Sequence, residues 1–279
     1  MTKASFFAAI VTPFVFAGIL TSAQAADGNG ATTDVKARYK LSFNGLDVGS
    51  YDFESQFDGK SYVSNSSAKV SAVFGAFKWR GDIQSNGKFI ANKPRPANYE
   101  MNFKTKKKGG SVKLGFDSSG VSSVALEPNK PPRKDAVPIA ADHLKNVFDP
   151  MSAIMAMSHA VGPNPCKQRI PIFDGKARFD LVMSPKGTEK ISDKSPSGQP
   201  RELIVCRVKY QPISGHKPKD FVDPWVDYNN LEIAFRPIPS ADIFVPYRIT
   251  IPTTLGPCMM AAENVTITSP NHPQIALRQ

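Results

Sequence analysis

Asn-Gly and Asp-Gly pairs recur between short runs of alternating apolar and polar residues, and that pattern restricts this chain to an antiparallel β fold. Arg38–Phe43 leads into Asn44-Gly45, and Tyr51–Phe57 leads into Asp58-Gly59. Asn86-Gly87 and Asp174-Gly175 stand between further runs of the same kind. Type I′ turns need positive φ at both central residues, which Asn, Asp and Gly tolerate best, so each pair is read as a hairpin turn. Tyr51, Phe53 and Phe57 share one parity while Asp52 and Glu54 take the other. One face of such a sheet is apolar and the other wet.

The same reading extends along the chain. Phe74 to Trp79, Gly81 to Gln84, Lys88 to Ile90, Asn98 to Lys104 and Ser111 to Phe116 are strand candidates, with Lys106, Lys107 and Lys108 at a basic hairpin tip. After a Pro- and Lys-rich connector, Glu127 to Pro138, one helix is expected. Asp149 is a good N-cap, Pro150 suits the first helical position, and Gly162-Pro163 ends the segment. Strands resume at Gln168–Phe173, Lys176–Met183, Glu202–Tyr210, Leu231–Arg236, Phe244–Ile251 and Met259–Thr268. The expected fold is mainly β: a large curved antiparallel sheet forming a partly open barrel or β-spiral, with one main helix packed against it. Curvature of this kind solves the edge problem posed by so many strands.

The first 25 residues read differently from the rest. Lys3 precedes an apolar run from Phe6 to Leu20, and Ala23-Gln24-Ala25 supplies a small-residue cleavage site. That layout predicts a secretory signal peptide and a periplasmic or otherwise exported protein. The expected organisation is a signal over 1–25, a disordered start over 26–36, one β-rich domain over 37–270 with a possible division near 128–138, and a flexible tail over 271–279. No later stretch is apolar for long enough to span a membrane as a helix. Lys and Arg number 35 against 24 Asp and Glu. For an exported chain, such a charge serves solubility first, draws the protein to anionic envelope surfaces second, and argues against nucleic acid as a partner. Export also gives meaning to the cysteines. Cys166 and Cys206 flank or occupy strands about 40 residues apart and are expected to pair, with Cys206–Cys258 as the alternative.

Motifs for catalysis are missing: there is no Gly-x-Ser-x-Gly elbow, no Walker loop and no His-Glu-x-x-His. His216 with Asp220, Asp223 and Asp227 has the composition of a cation site, but Lys217 and Lys219 interleave with them, so a solvated loop is expected and no metal. No cofactor is expected either. The aromatics Phe74, Phe77, Trp79 and Trp225, with Met151 and Met155 from the helix, are candidates to line an apolar cleft on the concave side of the sheet.

Four stretches carry a resemblance to one family. They are Phe43-Asn-Gly-Leu-Asp-Val-Gly-Ser50, Phe148-Asp-Pro-Met-Ser-Ala-Ile154, Ile172-Phe-Asp-Gly-Lys-Ala-Arg-Phe-Asp-Leu181 and Ile251-Pro-Thr-Thr-Leu-Gly256. The chain resembles exported proteins of Gram-negative bacteria catalogued as a domain of unknown function. That likeness implies a β-rich, half-barrel-like periplasmic domain without established catalytic residues. In compartment and pattern it is also loosely similar to envelope-integrity β-spiral proteins and to the half-barrels of lipoprotein carriers, a likeness of fold that says nothing of function. The expectation is a non-enzymatic cell-envelope protein that binds a lipid or acyl chain in a concave sheet. The alternatives are a scaffold contacting an envelope protein or an anionic surface through Lys106–Lys108 and, more distantly, an envelope-polymer hydrolase.

Overall fold

The computed structural model describes residues 32–278 apart from 73–74, 76, 130, 132–133, 161, 193–196, 218–225 and 271. The expected signal segment therefore lies outside the described residues. Two meanders make up the rest. The first runs through β1 (Thr33–Phe43), β2 (Leu46–Phe57), β3 (Ser61–Ala72), β4 (Phe77–Ile90), β5 (Lys93–Thr105), β6 (Gly109–Phe116) and β7 (Val121–Glu127). The second comprises β8 (Arg169–Phe173), β9 (Arg178–Lys190), β10 (Glu202–Ser214), β11 (Leu231–Ile238), β12 (Ile243–Ile251) and β13 (Cys258–Ser269). Antiparallel pairing of β1 with β13 fuses them into one sheet in the order β7-β6-β5-β4-β3-β2-β1-β13-β12-β11-β10-β9-β8. The connector after Glu127 thus joins two parts of a continuous sheet.

The final strand, β14 (His272–Arg278), pairs with β13. This stretch was expected as a flexible tail. Ile275 and Leu277 alternate with polar neighbours and are buried in the same apolar cluster as Val245, Val265 and Ile267. β13 keeps β1 along one edge and divides the other, giving Cys258–Ala261 to β12 and Asn264–Ser269 to β14. β1 likewise begins at Thr33, inside the stretch expected to be disordered.

Curvature has local causes. Register shifts interrupt the ladders at Arg38/Tyr39, Leu41/Ser42, Val205/Cys206 and Ala234/Phe235, and such bulges bend and twist a strand. Asn86-Gly87 is another such case, and it corrects the expected turn there: β4 continues through it to Ile90. The real turn follows at Ala91-Asn92, both at positive φ. Gly87 is required for another reason, since a Cβ there would stand 2.3 Å from the Arg95 carbonyl oxygen and 2.6 Å from the Tyr62 hydroxyl. The sheet does not close into a barrel. Its two edges are approached by a single segment, with Lys145 bridging to Gly120 beside β7 and Phe148 to Ile172 in β8.

The helix α1 (Pro150–Ser158) sits within this curve, against β4, β5, β8 and β12. Asp149 caps it, accepting from the Met151 and Ser152 N–H groups at 2.9 Å each. Met151, Ser152, Ala153, Met155 and Met157 are all buried, so α1 is a plug with protein around most of its surface rather than an amphipathic cover. Just beyond it, Cys166 is bonded to Cys206 of β10, with Cα atoms 5.1 Å apart and both residues fully buried. Cys258 is the free cysteine and is partly buried.

Candidate functional site

Inward parity on β1 and β2 presents Val35, Ala37, Tyr39, Tyr51 and Phe53 to the concave side. Across from them stand Ile204 of β10, Ile233 of β11, and Phe244 and Ile249 of β12, with Ile154 and Met155 of α1 between. These surfaces do not meet. They leave a cavity of about 880 Å³, within the range of pockets that bury most of a medium-sized organic ligand.

The mouth lies at one end of the strands, where β1 begins, β2 ends and the β4–β5 and β11–β12 turns fall. Exposed Asn92, Pro200, Glu202 and Asp242 belong to its rim. In a chain with so many cations, no Lys or Arg occurs among the described residues that line it. The one imidazole, His159, caps the C-terminus of α1 and contacts the Phe57 and Phe89 rings at centroid distances of 5.4 and 4.8 Å. Its Nδ1 lies 3.1 Å from the Met155 carbonyl oxygen, which can only accept, so Nδ1 carries the proton. Burial pushes its pKa below the usual 6.5, with the Met155 hydrogen bond and Asp242 opposing, and the ring is neutral at pH 7.

Behind the cavity the concave face turns polar. Ser152 Oγ donates to Asp149 Oδ2, as does Ser85 Oγ at 3.2 Å, and the Tyr62 hydroxyl lies 2.5 Å from Ser152 Oγ. Asp149 is fully buried, and desolvation raises its pKa against the pull of these hydrogen bonds. The thioethers join this layer: Tyr51 and Ser66 hydroxyls point at Met151 Sδ and Ser55 at Met155 Sδ, each at 3.5 Å. These contacts fix where α1 sits, and α1 fixes the inner wall of the cavity. The serines were missed in the sequence because inward serines on a strand look like a wet face. Their shared parity with Tyr62, at Ser64 and Ser66, was the available signal.

Of the residues expected to line a ligand cleft, Met155 borders the cavity. Met151 belongs to the polar layer instead. Phe77 and Trp79 stand at the far end of β4 and border no part of the cavity; Phe77 is about half exposed and the Trp79 ring lies over Gly81. Phe74 and Trp225 fall outside the described residues, as do Asp220 and Asp223 of the acidic loop. Among the described residues no group of three or more His, Cys, Asp or Glu could hold a metal ion. Lys106, Lys107 and Lys108 form the exposed β5–β6 turn, remote from the cavity.

The model of a protein family described as "Protein of unknown function (DUF3108)" matches residues 38–262. The chain belongs to this family. The DUF3108 match opens inside β1 and closes inside β13, so it contains both strands whose pairing fuses the two meanders, together with α1 and nearly all of the cavity wall. No curated protein and no solved structure matches the chain. No helix of the described residues is long and apolar enough to cross a membrane.

Proposed function

We propose that this protein is an exported, non-enzymatic component of the cell envelope that holds a single apolar chain, such as a lipid acyl chain, in the cavity between sheet and helix. The observation that carries this reading is the cavity itself: about 880 Å³, walled by aliphatic, aromatic and thioether side chains and open at one end. A closed core would have packed these groups against one another, because interiors leave few voids larger than a water molecule. The N-terminal charge, apolar run and Ala23-Gln24-Ala25 support export.

The lining also selects among amphiphiles. Glu202 and Asp242 stand at the rim and no described Lys or Arg faces the cavity. On the lining a free carboxylate or phosphate meets no cation and two like charges, which favours an uncharged polar end on the ligand, as in a monoacylglycerol.

Three measurements test this. Native mass spectrometry of protein isolated from its own cells is expected to show a non-covalent adduct, and fractionation with N-terminal sequencing a periplasmic chain starting near Ala26. Ile249→Trp, which fills the cavity from a half-buried wall position, is expected to abolish binding of a fluorescent monoacylglycerol without lowering thermal stability. Protein that is consistently empty and binds no such probe would sink the reading.

A further inference from the structure

The end of the sheet opposite the mouth has its own chemistry. The β1–β2, β5–β6 and β12–β13 connections fall there with the facing ends of β3 and β4, because Phe43 pairs with both Leu46 and Cys258, Cys258 with Ile251, Ala72 with Phe77 and Lys104 with Gly109. Four of the large apolar side chains that the fold leaves exposed stand on these connections or at the strand ends beside them: Leu46 and Leu255 at 71% and 59%, Phe77 at 49% and Ile251 at 37%.

Just behind those tips, the wet face of the sheet carries a row of cations. Lys69 is directly opposite Arg80, and Arg80 directly opposite Lys104, on three adjacent strands. They border a groove of about 640 Å³ together with Lys78 and Lys106. None of these five forms an ion pair with a described residue. Like charges directly opposite one another disfavour strand pairing. The neighbouring rows show the ordinary solution, with Lys36 on Glu54, Arg38 between Asp52 and Glu263, and Lys113 on Glu100. Asp82, one row further from the tips, makes no ion pair with them.

We propose that this end of the sheet docks on the surface of a lipid bilayer rich in anionic phosphate head groups, with Leu46, Phe77 and Leu255 entering the interface and the Lys69–Arg80–Lys104 row lying over the phosphates. Apolar tips backed by uncompensated cations combine the two terms that hold a protein at an anionic membrane surface, buried apolar area and charge. A soluble polyanion would use the row alone and leave the tips unexplained. With the tips on the bilayer, the cavity mouth faces away from it.

Co-sedimentation with vesicles tests this, using the chain from Ala26 onward so that the apolar Phe6–Leu20 run does not itself bind the bilayer. Binding is expected to mixed phosphatidylglycerol and phosphatidylcholine vesicles and to weaken with salt. Each near-surface cation strengthens partitioning about fivefold, so Lys69→Gln, Arg80→Gln and Lys104→Gln together are expected to weaken it about a hundredfold. Leu46→Ser with Leu255→Ser is expected to weaken it about tenfold. Lys60→Gln, Lys88→Gln and Lys93→Gln remove the same charge from exposed positions at the mouth end, and are expected to leave binding within about twofold. All are surface changes, and thermal melting checks that each variant folds. Equal losses from the two triple variants, unchanged binding by the Lys69–Arg80–Lys104 triple or by the Leu46–Leu255 double, or binding of soluble polyphosphate without vesicle binding would each overturn the proposal.

Discussion

At one end of the strands a cavity opens between Asn92, Glu202 and Asp242, with no Lys or Arg on its described lining; at the other, Lys69, Lys78, Arg80, Lys104 and Lys106 crowd behind exposed Leu46, Phe77 and Leu255. Both ends expose apolar surface, but in opposite forms. The mouth presents it as a concavity, which suits a single chain surrounded on all sides. The tips present it as separate projections, which suit insertion into something soft. The difference in charge follows the same division, so one ligand chemistry does not serve both ends.

The disulfide offers the strongest way to break this comparison. Cys166–Cys206 ties the segment after α1 to β10, a wall of the cavity, and packs in a buried cluster drawn from α1, β8, β9, β10 and β11. For a link spanning 40 residues, chain entropy gives a stabilisation of about 4 kcal/mol. Replacing both cysteines by Ala is expected to lower unfolding free energy by about that amount in denaturant titrations. Hydrogen exchange should speed up in β8–β10 while β3–β5 keep their protection. If vesicle binding fell along with monoacylglycerol binding, the two ends would not be independent.

A series of monoacylglycerols sharpens the cavity side. Each methylene removed from water contributes about 0.8 kcal/mol, so affinity is expected to rise about fourfold per carbon. The rise should stop once the chain fills the cavity, because further carbons remain in water. Binding to vesicles through the tips has no such limit. Absence of a plateau in the isolated protein would mean that the chain lies on an open surface instead.

These ends were legible in the sequence to different degrees, for physical reasons. Turn chemistry is local, so Asn44-Gly45, Asp58-Gly59 and Asp174-Gly175 located real hairpins, and Asp149-Pro150 located the start of the helix to the residue, while its end at Ser158 comes ahead of the expected stop at Gly162-Pro163. The cysteines left two pairings open, and the bond is the expected Cys166–Cys206. The cavity is not local. Its walls come from β1, β2, β10, β11 and β12, and aromatic size alone pointed instead to Phe77 and Trp79, which stand elsewhere. Strand β3 shows the difficulty best, since Val63 is about half exposed while Ser64 next to it is fully buried. Tyr62 sets the inward parity of that strand, but Ser64 and Ser66 beside it look like a wet face, because the inward serines answer polar groups rather than core. The basic row needed the register between β3, β4 and β5, which no sequence pattern supplies.

The smallest expected effect concerns the polar layer that seats α1 between the two ends. Asp149 is fully buried, and desolvation raises its pKa above the usual 3.8 even though Ser152, Ser85 and the Met151 N–H pull it down. The folded protein therefore holds this proton more tightly than the unfolded chain does. Its contribution to stability is complete below 3.8 and is lost as pH rises through the folded value. Asn at this position keeps an acceptor for the Met151 and Ser152 N–H groups, donates to the Ser85 and Ser152 hydroxyls, and never ionises. The melting temperature of Asp149→Asn relative to the unchanged protein is thus expected to climb by a few degrees from pH 4 upward and then level off. Asp149→Ala removes the cap and strands its donors, costing about 2–3 kcal/mol across the same range. A difference for Asp149→Asn that stays flat with pH would mean the carboxylate ionises in place without penalty. The helix would then be seated by hydrogen bonds alone, and the inner wall of the cavity would not respond to pH.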